Sequence, residues 1–222
     1  MQPLIAASGR DDVDRTALLR TYATLEHDQQ TATPDMLYDD VLARVHAGVA
    51  DRLGLRTTAE LDAAFGASIG QWPAFADTAN ALRFLKKHFR LVILSNVNRS
   101  GIAASNRKLG VEFDAIYTAE EIGSYKPAPA NFDYLLAHLS ADFGLEKDDV
   151  LHTAQSLLHD HAPANAFGIA NAWIDRQRLS EDGDWGATAE IAERPDVDFL
   201  FFTMGEMADA VREEVRQTTG HG

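Results

Sequence analysis

The chain has 222 residues, is 45% hydrophobic and carries a formal charge of −14 at pH 7, which suits one buried core with a sizeable insertion. With 34 acidic against 20 basic side chains it opposes phosphate backbones and anionic lipid surfaces, so nucleic-acid and membrane roles are disfavoured. The absence of cysteine removes disulfide scaffolds, thiolate zinc sites and cysteine nucleophiles, and leaves the cytosol as the default compartment. No apolar run is long enough to span a bilayer, and MQPLIAASGRDD lacks the basic start of a secretory signal.

Helical spacing begins at Asp12 and continues to about Gln30, with Leu18, Leu19, Tyr22, Leu25 and Glu26 on one stripe. A second helical pattern comes after Thr33-Pro34, through Leu37, Val41, Leu42, Val45, Val49 and Leu53, and stops at Gly54. A third runs from Thr58 to Ile69. At Gly70-Gln71-Trp72-Pro73 the character changes, and Trp72-Pro73 is read as a hinge between an all-helical part and the remainder of the chain. A helix from Asp77 to His88 then leads into Leu91-Val92-Ile93-Leu94, too short and apolar for an exposed helix and read as a buried parallel strand.

The alternation repeats: helix 100–109, strand 115–118, helix 131–143, strand 150–153, helix 158–167, strand 172–174, strand 199–202 and a closing helix 204–215, with a surface loop at 182–187. This rhythm predicts an α/β fold, a doubly wound parallel sheet of Rossmann-like type. Residues 1–72 form a helical cap and residues 73–222 the core in this reading.

Ligands of such sheets bind beyond the carboxyl ends of the strands. Three strand ends are polar. Ser95-Asn96 comes directly after LVIL and offers neutral donors for an anion, although such a pair also serves as a helix cap. Lys126, in EEIGSYKP after the strand at 115–118, offers a fixed positive charge, with an ordinary solvated lysine as the alternative. Asp160, beyond the strand at 150–153, could pair with Lys126, position a water, or simply suit the first turn of a helix. His159 and His161 flank it at a spacing that puts them on different faces, so no metal pair is expected. In the helical part Tyr22, His27, Tyr38, His46, Trp72 and Phe75 are candidates for lining a pocket, with core packing the simpler role for each.

The succession LVILSN, GSYKPAPANFDYLL and VLHTAQSLLHDHAPANAFGIANAWIDR resembles the second to fourth motifs of the haloacid dehalogenase superfamily, especially the type II 2-haloacid dehalogenases. PDVDFLFFTMGEMADAV is similar to that group's last strand and helix. The resemblance covers residues 75–217, and residues 1–72 resemble the group's helical cap less specifically. It implies that Ser95 and Asn96 bind the substrate anion, that Lys126 steadies the nucleophile's charge, and that Asp160 completes the acidic network that readies water. It also implies attack by an aspartate carboxylate and hydrolysis of the resulting ester.

The departures from the pattern are specific. Members carry the nucleophile on a strand ahead of the cap, and no such strand or aspartate is present here. Ala154-Gln155 stands where magnesium-dependent relatives place Gly-Asp, which favours metal-independent chemistry, and no cofactor is implied. Leu157 replaces a polar residue of several type II members. The expected function is thus a dehalogenase-like hydrolase of a small organic acid, inactive or shortened as it stands. A magnesium-dependent phosphatase of small metabolites and a non-catalytic binding protein remain alternatives. A homodimer is compatible with the sequence and not required by it. Without the first core strand, which would lie between those ending at Ser95 and Thr153, two apolar strands would expose unpaired edges and lower stability.

Overall fold

The computed structural model describes residues 1–10, 12–183, 186, 189 and 191–219. Four helices come first: α1 (Gln2–Ser8), α2 (Arg15–Ala32), α3 (Tyr38–Arg52) and α4 (Ala59–Gly66), with a tight 3-10 turn at Ala67–Gln71 after them. Local chemistry fixes their ends. Asp14 caps α2 by accepting from the Thr16 N–H at 2.9 Å, and Thr58 caps α4 by accepting from Leu61 N–H at 3.3 Å. The apolar stripes of these helices meet in one core containing Leu4, Leu18, Val41, Leu42, Val45 and Val49. Ala119 and Tyr125 from the α/β part join the same core. The α1 helix precedes the first one that the pattern predicts; Pro3 stands in its first turn, where a missing N–H costs nothing.

The α/β part runs α5 (Thr78–Leu85), β1 (Val92–Ser95), α6 (Arg99–Leu109), β2 (Ala115–Thr118), α7 (Ala119–Ile122), α8 (Pro129–Phe143), β3 (Leu151–Ala154), α9 (Ala162–Phe167), β4 (Ala170–Ile174), β5 (Phe199–Phe201) and α10 (Met204–Thr219). Every strand pairing is parallel, as the βαβ rhythm predicts. The expected helix at 158–167 is divided. Pro163 has no N–H for a helical bond back to His159, so α9 starts only at Ala162, preceded by a wide turn at Leu157–His161. The expected loop at 182–187 lies partly outside the described residues, with Asp184, Trp185 and Ala187 among those left out.

Among the described residues five strands form two sheets, β1–β2 and β3–β4–β5. Val92 to Ser95 stand opposite Ala115 to Thr118, and Leu151 to Ala154 stand opposite Ala170 to Trp173. Among the described residues β1 and β3 each therefore carry one edge with no strand partner. Strands of a doubly wound sheet are ordinarily covered on both faces. Here Ile116, Leu151, Phe199 and Leu200 are all exposed.

Candidate functional site

The carboxyl ends of β1 and β3, the segment after α7 and one face of α2 converge on a cavity of about 210 Å³. Ser95, Asn96, Lys126 and Asp160 all line it, together with Glu26, Gln30, Gln155, Ser156 and His159. Four residues separated by up to 65 positions in sequence are thus brought to one crevice.

Neither Ser95 nor Asn96 caps the next helix. That role falls to Asn98, whose side chain accepts from Gly101 N–H at 3.2 Å and donates to Asp39 in α3 at 3.0 Å. Ser95 Oγ accepts from Val97 N–H at 3.1 Å. Asn96 clasps the backbone of Lys126 from both sides: its Oδ1 accepts from Lys126 N–H at 2.8 Å and its Nδ2 donates to Lys126 O at 3.1 Å. The same amide donates to Gln30 of α2 at 3.4 Å. Asn96 therefore fixes the backbone from which Lys126 projects.

Lys126 is buried, and its Nζ donates to Leu94 O at 2.9 Å and to Asp160 Oδ1 at 2.5 Å. His152 Nε2 approaches the same carboxylate oxygen at 2.9 Å. Burial opposes ionisation of Asp160, but the Lys126 charge and the His152 contact outweigh it and hold the carboxyl well below the usual carboxylate range. The crevice floor is a buried ion pair with little net charge. His159 packs beside it, and burial lowers its pKa to about 4, so the imidazole is neutral at pH 7. Its Nε2 is buried and has no hydrogen-bond partner among the described residues. His161 lies elsewhere, buried between Asn171 Oδ1 at 2.8 Å and Ala154 O at 3.0 Å.

From the other side α2 presents Glu26 and Gln30, one turn apart. Both Tyr22 Oη, at 3.1 Å, and Tyr38 Oη donate to Glu26 Oε1. Burial pushes both tyrosine hydroxyls well above their usual pKa, so they keep their protons and act as donors. Burial also raises the Glu26 carboxyl, against the opposing pull of the two hydroxyls. Behind this triad is a second, apolar cavity of about 350 Å³, lined by Leu19, Tyr22, Phe65 and Trp72 and sharing Glu26 and Tyr38 with the first. Of the other aromatic candidates, His27 packs against His159 with the ring centres 5.5 Å apart and the planes tilted by 50°. His46 is a core histidine, bonded to Asp62 at 2.6 Å and stacked on Phe65. Phe75 lies outside the crevice under the Arg176 guanidinium.

Sequence reading missed Glu26, Gln30 and the His152 contact. A signal for the first two exists: Tyr22, Glu26 and Gln30 recur every four residues along one face of α2, so an acidic residue interrupts a stripe that should be apolar. His152 has no comparable mark, because only the pairing of β3 and the turn after it bring it to Asp160.

Among the described residues no helix is long and apolar enough to cross a membrane. A search of the curated proteins finds no match. Among solved structures, L-2-haloacid dehalogenase from Xanthobacter autotrophicus superposes with a TM-score of 0.73 at 18% identity, over 96% of this chain and 93% of that one. The same enzyme with chloropropionic acid covalently bound gives 0.72 at 18% identity, over 95% and 92%. The HAD-hydrolase YfnB from Bacillus subtilis, bound to magnesium, gives 0.70 at 14% identity, over 95% and 88%. At these identities the likeness is one of fold. The family model for haloacid dehalogenase-like hydrolase, however, matches residues 10–153, well over half of the sequence and including Ser95, Asn96 and Lys126. With both the fold and the sequence model in agreement, this chain belongs to the haloacid dehalogenase-like hydrolases.

Proposed function

We propose that the crevice binds a small organic acid in the manner of a dehalogenase-like hydrolase, with residues 1–72 as the cap over a core of residues 73–222. In this reading Ser95 and Asn96 hold the substrate anion, Asn96 by exchanging its 3.4 Å contact with Gln30 for the ligand, and Lys126 supplies the positive charge. Asp160 anchors Lys126 and completes the acidic network that readies water. The observation that carries it is the convergence of all four side chains, with Gln30, on one cavity small enough for such a ligand.

Carbon–halide hydrolysis by this route needs a free carboxylate. Its oxygen bonds to the halide-bearing carbon as halide leaves; water then cleaves the ester, returning the carboxylate and releasing a 2-hydroxy acid. Two carboxylates reach the cavity, and each has one oxygen engaged. Asp160 Oδ1 is taken by Lys126 and His152, and Glu26 Oε1 by two tyrosines. We propose that these 222 residues bind the acid without turning it over, and that turnover needs a further carboxylate delivered beside Lys126.

The crevice does not fit a magnesium ion, which takes hard carboxylate oxygens. Gln155 stands at the position in question and donates its amide to Gln177, and among the described residues no three histidine or acidic side chains converge as a metal site needs. The test compares this chain with one carrying an added N-terminal strand that ends in aspartate, using 2-chloropropionate. Calorimetry should show binding by both, and halide release by the extended chain alone. Absence of binding by either folded protein would overturn the organic-acid reading, and magnesium-dependent phosphate release would replace it.

A further inference from the structure

The wall that the cap presents to the crevice is an acceptor, where a halide would call for a donor. Glu26 lines the cavity alongside Asn96, Lys126 and Ser156. Gln30, four residues further along α2, touches Asn96 at 3.4 Å, which fixes this face of α2 towards the core. Tyr22 and Tyr38 spend their only hydroxyl protons on Glu26 Oε1, so they have none left for a ligand. Both hydrogen bonds to Glu26 fall on Oε1, which leaves Oε2 without a partner among the described residues, and the Lys126 charge is already matched by Asp160 at 2.5 Å. Water meets that oxygen in the open crevice, and once a ligand displaces the water only a donor from the ligand replaces the hydrogen bond of an ionised Glu26. A carbon-bound halogen brings no proton, and seating one against Oε2 strips water from a carboxyl without replacing the lost hydrogen bond.

We infer that Glu26 is a specificity-determining residue of this crevice and selects organic acids that carry a hydrogen-bond donor, hydroxyl or ammonium, over isosteres that carry a halide at the same carbon. The inference rests on the organic-acid reading above. It adds that the ligand's carboxylate lies towards Ser95 and Asn96 while its donor meets Oε2.

Three ligands of nearly equal shape test it on the full 222-residue chain by calorimetry: 2-hydroxypropionate, 2-aminopropionate and 2-chloropropionate. At least one donor-bearing acid should bind roughly ten- to a hundredfold more tightly than the chloro acid, the range expected for a hydrogen bond to a charged or buried group. Glu26→Gln keeps an oxygen for both tyrosines but puts an amide donor in place of Oε2, so it should erase the preference or turn it towards the chloro acid. Its thermal melt, matched to the parent's, shows that the change is one of recognition. Preference for the amino acid over the hydroxy acid identifies an ionised Glu26. Equal or tighter binding of 2-chloropropionate by the parent overturns this inference and leaves the organic-acid reading standing. Binding of none of the three overturns both.

Discussion

The most consequential residue is Lys126, because it closes two gaps at once: it satisfies a carbonyl of β1 and neutralises a carboxylate beyond β3. Removing one partner of a buried pair leaves the other charged in a medium that disfavours charge, at a cost of about 3–5 kcal/mol. Lys126→Met should therefore lower the urea-derived stability by roughly that amount at pH 7, whereas Lys126→Met combined with Asp160→Leu should recover most of it. The pH dependence has a definite sign. The folded pKa of Asp160 is depressed below its ordinary value of 3.8, so its stabilisation is present above that value and lost as pH falls below it. The gap between Lys126→Met and the parent should accordingly narrow in acid. His159 acts in a higher window. Its pKa falls from 6.5 to about 4 on burial, so the unfolded chain binds the extra proton between these values and stability drops as pH falls through them. His159→Gln should flatten the stability profile across that interval, and an unchanged slope would show that the imidazole is not held neutral.

Among the elements, the helices that carry the crevice wall depend on one close approach. A Cβ at Gly66, the last residue of α4, would overlap the Asp39 carbonyl oxygen in α3. Asp39 is the neighbour of Tyr38, one of the two hydroxyl donors to Glu26, so a displacement there reaches the crevice. Gly66→Ala gains about 1 kcal/mol of helix propensity but forces a backbone to move, an overpacking cost of about 1–3 kcal/mol. The clash should win, giving a lower thermal midpoint and weaker ligand binding, whereas a stabilised variant would mean that α3 and α4 can slide apart freely. The packed face of α3 is legible in advance from Val41, Leu42, Val45 and Val49. The contact at Gly66 is not, because a glycine near a helix end usually signals only a cap.

The whole molecule is shaped by its divided sheet. Two parallel sheets with unpaired edges on β1 and β3 among the described residues present strand templates to other copies of the chain. The charge of −14 resists such association through a repulsion that salt screens. Light scattering should therefore show association that grows with both protein and salt concentration, alongside a broad melt. A sharp cooperative transition from a monodisperse sample in high salt would show that the edges are protected.

Short-range order was written in the residues themselves. The periodicity of Leu18 to Glu26 and of Val41 to Val49 specified helices, and the apolar run LVIL with the alternation of elements around residues 115–118 specified parallel strands, because spacing and run length are local properties of the sequence. The order of the polar strand ends marked Ser95, Asn96, Lys126 and Asp160. The tertiary structure alone decided what those residues meet: Asn96 clasping the Lys126 backbone, Lys126 reaching the Leu94 carbonyl, His152 reaching Asp160, and Glu26 turned into the crevice. Each of these is a contact between distant segments whose energy depends on burial and geometry, and neither quantity is a property of a residue until its neighbours have been placed.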